Sequence, residues 1–350
     1  MSEDKGLLKS PRVNARRLLK SLKAIARSSM MRYIIRRLLY MIPVILGISI
    51  IAFITMYAAG DPISLIRLGK PNIDQTTLNA MKAYYGLDKP IPIQYIDWLT
   101  NILQLNFGKS LYGGGAVKTL IGPEILPTIE LQIISLLLAF AISIPIAVRS
   151  AKKPYSKQDL AVTSFSLFGV SMPTFWLGLI LIIIFSFNLG WLPSAGAQGA
   201  AGFLWFGTPV LDVIAHYILP VTVLVWVSLA QNIRLIRANM LEVLRSDYIL
   251  AARASGISER KVVYRYALRN AITPAVTFLA LALGVMLAGA PMTEYVFSWP
   301  GLGRQYVSST LGLDFPVIMA ITMLITVMTL VANLIMDILY VYIDPRVRIR

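Results

Sequence analysis

The chain has 350 residues, of which 57% are hydrophobic and only 14% are charged. Soluble proteins carry about 25% charged residues, so the composition excludes an ordinary soluble domain. The absence of cysteine excludes a disulfide framework, a thiolate metal site and a cysteine nucleophile, and the single histidine, His216, argues against a histidine-based metal cluster.

The apolar residues form long blocks, whereas a transmembrane β-barrel shows alternating segments of about 10 residues. Helical spans of about 20 residues explain such blocks. We therefore predict an all-α integral membrane protein with six transmembrane helices. The first apolar run exceeds the roughly 7–15 residues of a signal peptide, so we expect it to be retained as a span. The six predicted spans are Leu38–Ala59, Ile129–Val148, Leu160–Phe187, Ile214–Ala230, Ile272–Met292 and Val317–Tyr342.

Lysine and arginine determine the predicted orientation of the spans. If both termini are cytoplasmic, 26 of the 33 basic residues lie in cytoplasmic tails and loops. Cytoplasmic segments favour lysine and arginine, so we predict that both termini are cytoplasmic. The formal charge of +16 then reflects membrane topology and predicts no nucleic-acid partner. Residues 1–37 are predicted to be a basic cytoplasmic tail, in which residues 7–27 form either an amphipathic helix on anionic lipid or a disordered basic segment.

The segment after the first span, residues 60–128, is long enough for a small extracytoplasmic element. Asp88 and Pro90 predict a turn, and the amphipathic run after them predicts a short helix at the membrane interface. Residues 108–110 read GKS, like the end of a phosphate-binding loop, but Leu103 stands where that loop requires glycine. We therefore exclude a nucleotide site here.

The predicted transmembrane core, residues 129–343, contains a basic loop at 237–270. Within this loop, small side chains, a glycine break and a second basic helix predict a rigid knob beside the membrane. Gly256 is suited to a left-handed helix cap, and Ala251 and Ala252 permit close approach by a partner protein. An amphipathic helix resting on lipid explains the composition equally well.

Polar residues at the ends of the predicted spans, and one proline within a span, are candidates for a functional site, such as a pathway through the membrane, because a buried charge in a membrane is costly. Glu294 either faces the pathway or braces an outer gate. Pro173 gives a hinge or a static kink in the third span. Gln231 and Asn232 close the fourth span, where they line the pathway or bond between helices.

Three further ionisable residues are expected to be structural. Asp337 lies near the inner end of the last span, within reach of water or Arg346, and we expect an ion pair there. Glu130 is placed to stabilise the positive end of the second span. His216 is interpreted as an anchor at the interface with no chemical role.

A series of motifs appears in one specific order along the chain. These motifs include GDP (60–62), YGLDKPIPIQY (85–95), FGKS (107–110), SMPTFWLGL (171–179), RANMLEVLRSDYILAARASGIS (237–258), EYVFSWPGLGR (294–304) and DPRVR (344–348). In this order, from about Met31 to Arg350, the chain resembles the B-type permease subunit of the peptide/nickel class of ATP-binding-cassette (ABC) importers. Leu250 replaces the glutamate of the general permease motif, and Arg269 stands where that motif has proline.

The resemblance implies a type I importer permease fold in the cell membrane. It implies a second homologous permease, two ABC ATPase subunits and an extracytoplasmic solute-binding protein as partners. ATP and magnesium would be bound by the ATPase subunits and no cofactor by this chain, which would be a transport subunit and not an enzyme. The residues implied to contact the ATPase lie in the loop 246–270 and are Asp247, Ala251, Ala252, Arg253, Gly256 and Arg260.

The resemblance suggests di- or oligopeptides as cargo, although similar permeases serve oligosaccharides and nickel complexes. A different class, a secondary transporter driven by an ion gradient, would predict charges at mid-membrane and an inverted repeat. Glu130, Glu294 and Asp337 instead lie near the ends of spans. An integral membrane enzyme would require clustered acid, base, metal or nucleophile residues, which the sequence does not show.

Overall fold

The computed structural model describes residues 12–60, 74–112, 114–199, 207–285 and 289–343, and these contain helices and no strand. The all-α prediction is confirmed for this part of the chain. The helices are α1 (Arg12–Ala59), α2 (Gln75–Tyr84), α3 (Ile91–Leu103), α4 (Val117–Ile121), α5 (Ile125–Lys152), α6 (Lys157–Ser171), α7 (Thr174–Leu181), α8 (Pro209–Leu244), α9 (Asp247–Ala254), α10 (Glu259–Lys261), α11 (Leu268–Ala271), α12 (Thr273–Val285), α13 (Pro291–Val296), α14 (Leu302–Gly312) and α15 (Phe315–Ile343).

Four helical segments of the described chain are long and apolar enough to cross a membrane. They are Met31–Ala59, Val117–Lys152, Pro209–Leu244 and Phe315–Ile338. A bent pair, Lys157–Ser171 with Thr174–Asn188, makes a fifth if it is counted as one span. The predicted first, second and last spans therefore coincide with long helices.

The third predicted span, in which Pro173 was expected to give a hinge or a static kink, consists of two helices bent by 103° with respect to each other. Proline lacks an N–H and disfavours helical backbone in the residue before it. Accordingly Met172, which precedes Pro173, is extended, with φ −85° and ψ 124°. Pro173 therefore ends α6, and the chain starts again as α7 before closing in a π-helical segment, Ile182–Asn188.

The fourth predicted span was placed too short. The observed helix α8 has 36 residues and starts at Pro209, where the Thr208 side chain accepts a hydrogen bond from the Leu211 N–H. Proline at the first helical position and threonine before it form a common helix start. Gln231 and Asn232 consequently lie inside α8 and do not close it.

The fifth predicted span, Ile272–Met292, does not continue as one helix up to Met292. Helix α12 is described from Thr273 to Val285, residues 286–288 lie outside the described part, and Gly289 then adopts φ +74°. Pro291 then begins the separate short helix α13. A left-handed glycine followed closely by proline separates the two helices.

Helices α5 and α8 pack along each other and organise two cores. The first core joins the ends of α5 and α8 to residues 249–275, and it contains buried Val148, Ile236, Met240 and Ile249. The second core joins α7, the first half of α8 and the turn after α13, through Leu177, Ile182, Leu219, Val223 and Phe297. The first half of α8 therefore packs in the second core, and its second half packs in the first core.

The short helix predicted after Pro90 is observed as α3, which has no buried residue and packs against α1. The hydroxyl groups of Tyr95 and Ser49 share a hydrogen bond of 2.8 Å. The ring centroids of Tyr95 and Phe53 lie 5.4 Å apart. Near the middle of α1, Arg37 forms a 2.7 Å ion pair with Asp337. An ion pair at Asp337 was expected, but its partner is Arg37; Arg346 lies outside the described residues.

Candidate functional site

The segment 246–270 folds as helix α9, a tight left-handed turn, and a second helical stretch made of α10, a π-helical part, Val262–Ala267, and the start of α11. Gly256 adopts φ +74°, its N–H bonds to the carbonyl of Arg253 at 3.0 Å, and the Ile257 N–H bonds to the carbonyl of Ala252 at 3.3 Å. These two bonds form a Schellman cap. An added Cβ at Gly256 would meet no atom within 4 Å, so only the backbone conformation favours glycine there. The predicted glycine cap is thus observed.

The two central alanines of α9 face opposite ways. Ala251 is exposed, whereas Ala252 is 8% exposed and belongs to the first core together with Ile249. The small side chain of Ala252 therefore lets α9 approach its own protein closely. Of the two alanines, only Ala251 is accessible from the protein's surface.

The charged residues of the segment lie on its exposed side. Arg253 makes a two-pronged ion pair with Glu259, at 2.9 and 3.1 Å, which ties the end of α9 to the start of α10. The hydrogen bond from Arg253 lowers the pKa of Glu259. Asp247 is exposed in the first turn of α9, where its charge suits the helix N-terminus, and Arg260 is exposed in α10.

The second half of the segment, residues 259–270, packs against the first core on one side and is exposed on the other. Val262, Val263 and Ala267 are buried in the first core, while the side-chain amide of Asn270 donates a 2.8 Å hydrogen bond to the Tyr248 hydroxyl. The exposed side chains between these anchors are Tyr248, Leu250, Tyr264, Arg265, Tyr266 and Arg269. Aromatic rings and arginines are enriched in protein interfaces, so this face is suited to docking a protein.

A buried ion pair lies behind the segment and was missed from the sequence. Arg237 in α8 donates two hydrogen bonds to Asp159 at the start of α6, at 2.5 and 2.7 Å, and the Asp159 side chain is 2% exposed. Ser156, Lys157, Gln158 and Asp159 form a helix-start pattern, and Ser156 does accept from the Asp159 N–H. That pattern locates the helix start but gives no sign of a partner 78 residues away.

Glu294 is enclosed at the junction of α13, α14 and the start of α5. Its side chain is fully buried and accepts hydrogen bonds from the N–H groups of Ala290 (3.1 Å) and Gly303 (2.7 Å) and from the Thr128 hydroxyl (3.2 Å). Burial raises the pKa of the Glu294 carboxyl, and these hydrogen bonds partly offset the shift. In this conformation Glu294 braces the junction and does not line an open pathway.

Glycines make room for the Glu294 carboxylate. A Cβ at Gly289, Gly301 or Gly303 would lie 2.8, 2.4 or 2.9 Å from its carboxyl group. Trp299, also fully buried, closes the same junction by donating to the Pro127 carbonyl at 3.1 Å. The motif EYVFSWPGLGR at 294–304 is therefore a compact cap on the start of α5.

The other predicted pathway residues are distributed over different elements. Pro173 precedes α7 and is exposed, Gln231 is exposed on α8, and its neighbour Asn232 is 2% exposed. His216 is buried, with Nδ1 2.8 Å from the Asp212 carbonyl oxygen. The structure thus gathers the six coupling candidates into one segment and leaves the four pathway candidates in three separate places.

Comparison with known proteins decides the family. A family model described as "Binding-protein-dependent transport system inner membrane component" matches residues 143–349, and the N-terminal model of the same system matches residues 30–116. The chain belongs to this family. It is a multi-pass membrane protein and a transport subunit, as the resemblance implied, and not an enzyme.

The relatives of this family member are named permeases. It is 43% identical over 320 residues to the oligopeptide transport system permease protein AppB of Bacillus subtilis. It is 37% identical over 334 residues to the di/tripeptide permease DppB of Pseudomonas aeruginosa, and 35% identical over 337 residues to the dipeptide permease DppB of Escherichia coli. Each match covers 91% of this chain and 99% of the relative, so the likeness extends over the whole permease.

Proposed function

We propose that the chain is one transmembrane half of an ATP-driven importer for di- and oligopeptides. The observation that carries this proposal is the 43% identity, over nearly the full length of both chains, to a permease named for oligopeptide transport. Relatives named for dipeptides and di/tripeptides support the same class of cargo. The chain pairs with a second permease and receives cargo from an extracytoplasmic binding protein.

In this assembly two ATPase subunits bind ATP and magnesium, and the segment 246–270 docks one of them. The exposed side of that segment supports the proposal, because Ala251 and the open space above Gly256 allow close approach by a partner backbone. Arg253 and Arg260 add positive charge around this contact. Rim charges of this kind mainly set the rate and specificity of association.

The proposed topology keeps six spans with both termini in the cytoplasm. The long helices supply four crossings, the bent pair α6–α7 a fifth, and the stretch Ile272–Met292 the sixth. Transport then follows from an equilibrium between inward-facing and outward-facing states, which ATP binding and the loaded binding protein shift. Residues 1–37 contact anionic lipid on the cytoplasmic side.

Uptake by the reconstituted assembly tests this function. Proteoliposomes containing both permeases and both ATPases are given the binding protein, a labelled tripeptide and internal ATP. We expect tripeptide accumulation that requires ATP and is suppressed by excess unlabelled peptide. Accumulation without ATP that follows an ion gradient would support a secondary transporter. Uptake of an oligosaccharide or a nickel complex in place of peptide would overturn the proposed cargo.

A further inference from the structure

The Asp159 carboxylate has a complete set of donors. Besides the two bonds from Arg237, it accepts a 2.8 Å hydrogen bond from the Tyr155 N–H and another from the Ser150 hydroxyl. The Arg237 Nε is also 3.2 Å from Ser150. Three chain segments, the end of α5, the start of α6 and the second half of α8, therefore meet at one buried charge.

Arg237 extends from the part of α8 that supports the coupling segment. Its neighbours on α8, Ile233, Ile236 and Met240, belong to the first core, where they pack with Ile249 and Ala252 of α9. Well-packed cores transmit displacement because they compress little. A movement imposed on α9 is therefore passed to this half of α8.

Helix α6 is connected differently at its two ends. Its first turn is tied to α8 by the Asp159–Arg237 pair, and its last residue lies at the 103° break before α7. Beyond the break, α7 belongs to the second core with Leu219 and Phe297. Helix α6 is thus a second connection, beside the continuous helix α8, between the first core, which carries the coupling segment, and the second core, which contains Phe297 just after α13.

We propose that Arg237 and Asp159 are positioning residues that pass motion of the coupling segment to α6, and through it to the 172–173 break. The inference rests on the proposed function, since it requires that an ATPase moves the segment. The Asp159 side chain is buried, whereas that of Arg237 is 23% exposed. Separating the two leaves an uncompensated carboxylate in the interior, so the two side chains move together. The exposed pair Arg253–Glu259, 39% and 52% exposed, lacks this constraint.

The test compares peptide imported per ATP hydrolysed in proteoliposomes. The variant D159N/R237M removes both charges and leaves neither one unpaired, and R237K keeps the positive charge but cannot form the two-pronged bond. We expect about a tenfold lower ratio for D159N/R237M, which corresponds to about 1.4 kcal/mol of lost coupling, and a smaller decrease for R237K. ATPase subunits remain bound to both variants.

The matched control is K89M/D97N. It removes the exposed ion pair between Lys89 and Asp97, which lies outside the first core. Its ratio should equal that of the wild type. An unchanged ratio in D159N/R237M would overturn the inference and make the pair structural only. If D159N/R237M fails to fold, the R237K variant provides the test. A wild-type ratio of peptide imported per ATP in R237K, together with a lowered melting temperature, would also overturn the inference.

The same experiment distinguishes failure of the proposed function from failure of this inference. A wild-type assembly that shows no ATP-dependent peptide uptake would overturn both proposals. A wild-type assembly that couples uptake to ATP, together with variants that couple equally well, would overturn only the role of Arg237 and Asp159.

Discussion

Ser110 donates a 2.5 Å hydrogen bond to Asp314, 204 residues further along the chain, and both side chains are buried. The Leu111 N–H also donates to this carboxylate, at 3.2 Å. Asp314 immediately precedes α15, so the segment containing α2 and α3 is attached directly to the start of the last span. The GKS sequence at 108–110 therefore has a structural role in place of the phosphate-binding role that the sequence excludes.

Replacing Asp314 with alanine should destabilise the protein, because the buried Leu111 N–H would lose its acceptor and the Ser110 hydroxyl would lose its bond to the carboxylate. A buried donor left unpaired costs about 1–3 kcal/mol. A fluorescence melting curve of the detergent-purified protein measures the loss. The control D97A removes an exposed carboxylate and should leave the melting temperature unchanged. Equal melting temperatures for D314A and D97A would rule out the attachment.

Replacing Gly303 with alanine should also destabilise the protein. Its Cβ would lie 2.7 Å from the Pro291 backbone and 2.9 Å from the Glu294 carboxyl. Overpacking of this kind costs about 1–3 kcal/mol. The control is G115A, whose Cβ would meet nothing within 4 Å. A melting temperature lowered in both variants, or in neither, would contradict the enclosed geometry around Glu294.

Glu294 should give the protein a specific pH dependence. Burial raises its pKa in the folded state above the ordinary 4.5, so the folded protein holds the proton more tightly than the unfolded chain. The resulting stability is complete below pH 4.5 and is lost as the pH rises through the folded pKa. The E294Q variant lacks this titration. Melting temperatures measured from pH 4.5 to 8 should therefore show the wild type losing stability relative to E294Q, and a constant difference would contradict the shift.

Gly256 should be replaceable by asparagine but not by valine. Asparagine tolerates the left-handed backbone at φ +74°, whereas a β-branched residue is strained there by about 1–2 kcal/mol. We expect G256V to lower peptide uptake per ATP while membrane insertion remains normal, and G256N to stay close to the wild type. Equal uptake by G256V and the wild type would count against a coupling role for this turn.

Features that depend on neighbouring residues could be predicted from the sequence. The glycine cap at Gly256, the break at Pro173 and the helix after Pro90 each follow from the conformational limits of glycine or proline. Long apolar runs located the first, second and last spans because the membrane requires a minimum helix length. The family motifs then identified the class of transporter.

Features that depend on distant residues could not be predicted. Arg237 and Asp159 are 78 positions apart, and the partner of Asp337 is Arg37 at the other end of the chain. Helix packing in three dimensions decides such pairs, and no spacing rule applies to them. The interruption near the end of the fifth predicted span was not predicted either, since the composition of this run favours a continuous helix, whereas the chain turns at Gly289 and begins a new helix at Pro291.

The inward and outward directions of Ala251 and Ala252 likewise required the structure. Both residues are small and adjacent, so composition gives them the same role. The packing of Ile249 into the first core fixes the rotation of α9 and separates them, with Ala252 turned inward. This difference offers a direct test of docking.

Site-specific cross-linking tests the central claim that an ATPase subunit docks on the exposed side of segment 246–270. The chain has no cysteine, so A251C and A252C each introduce a single thiol for labelling with benzophenone maleimide. After illumination of the assembled complex, we predict a cross-link to the ATPase subunit from A251C and none from A252C. Cross-links from neither position, in a complex that retains its ATPases and imports peptide, would contradict docking at this surface.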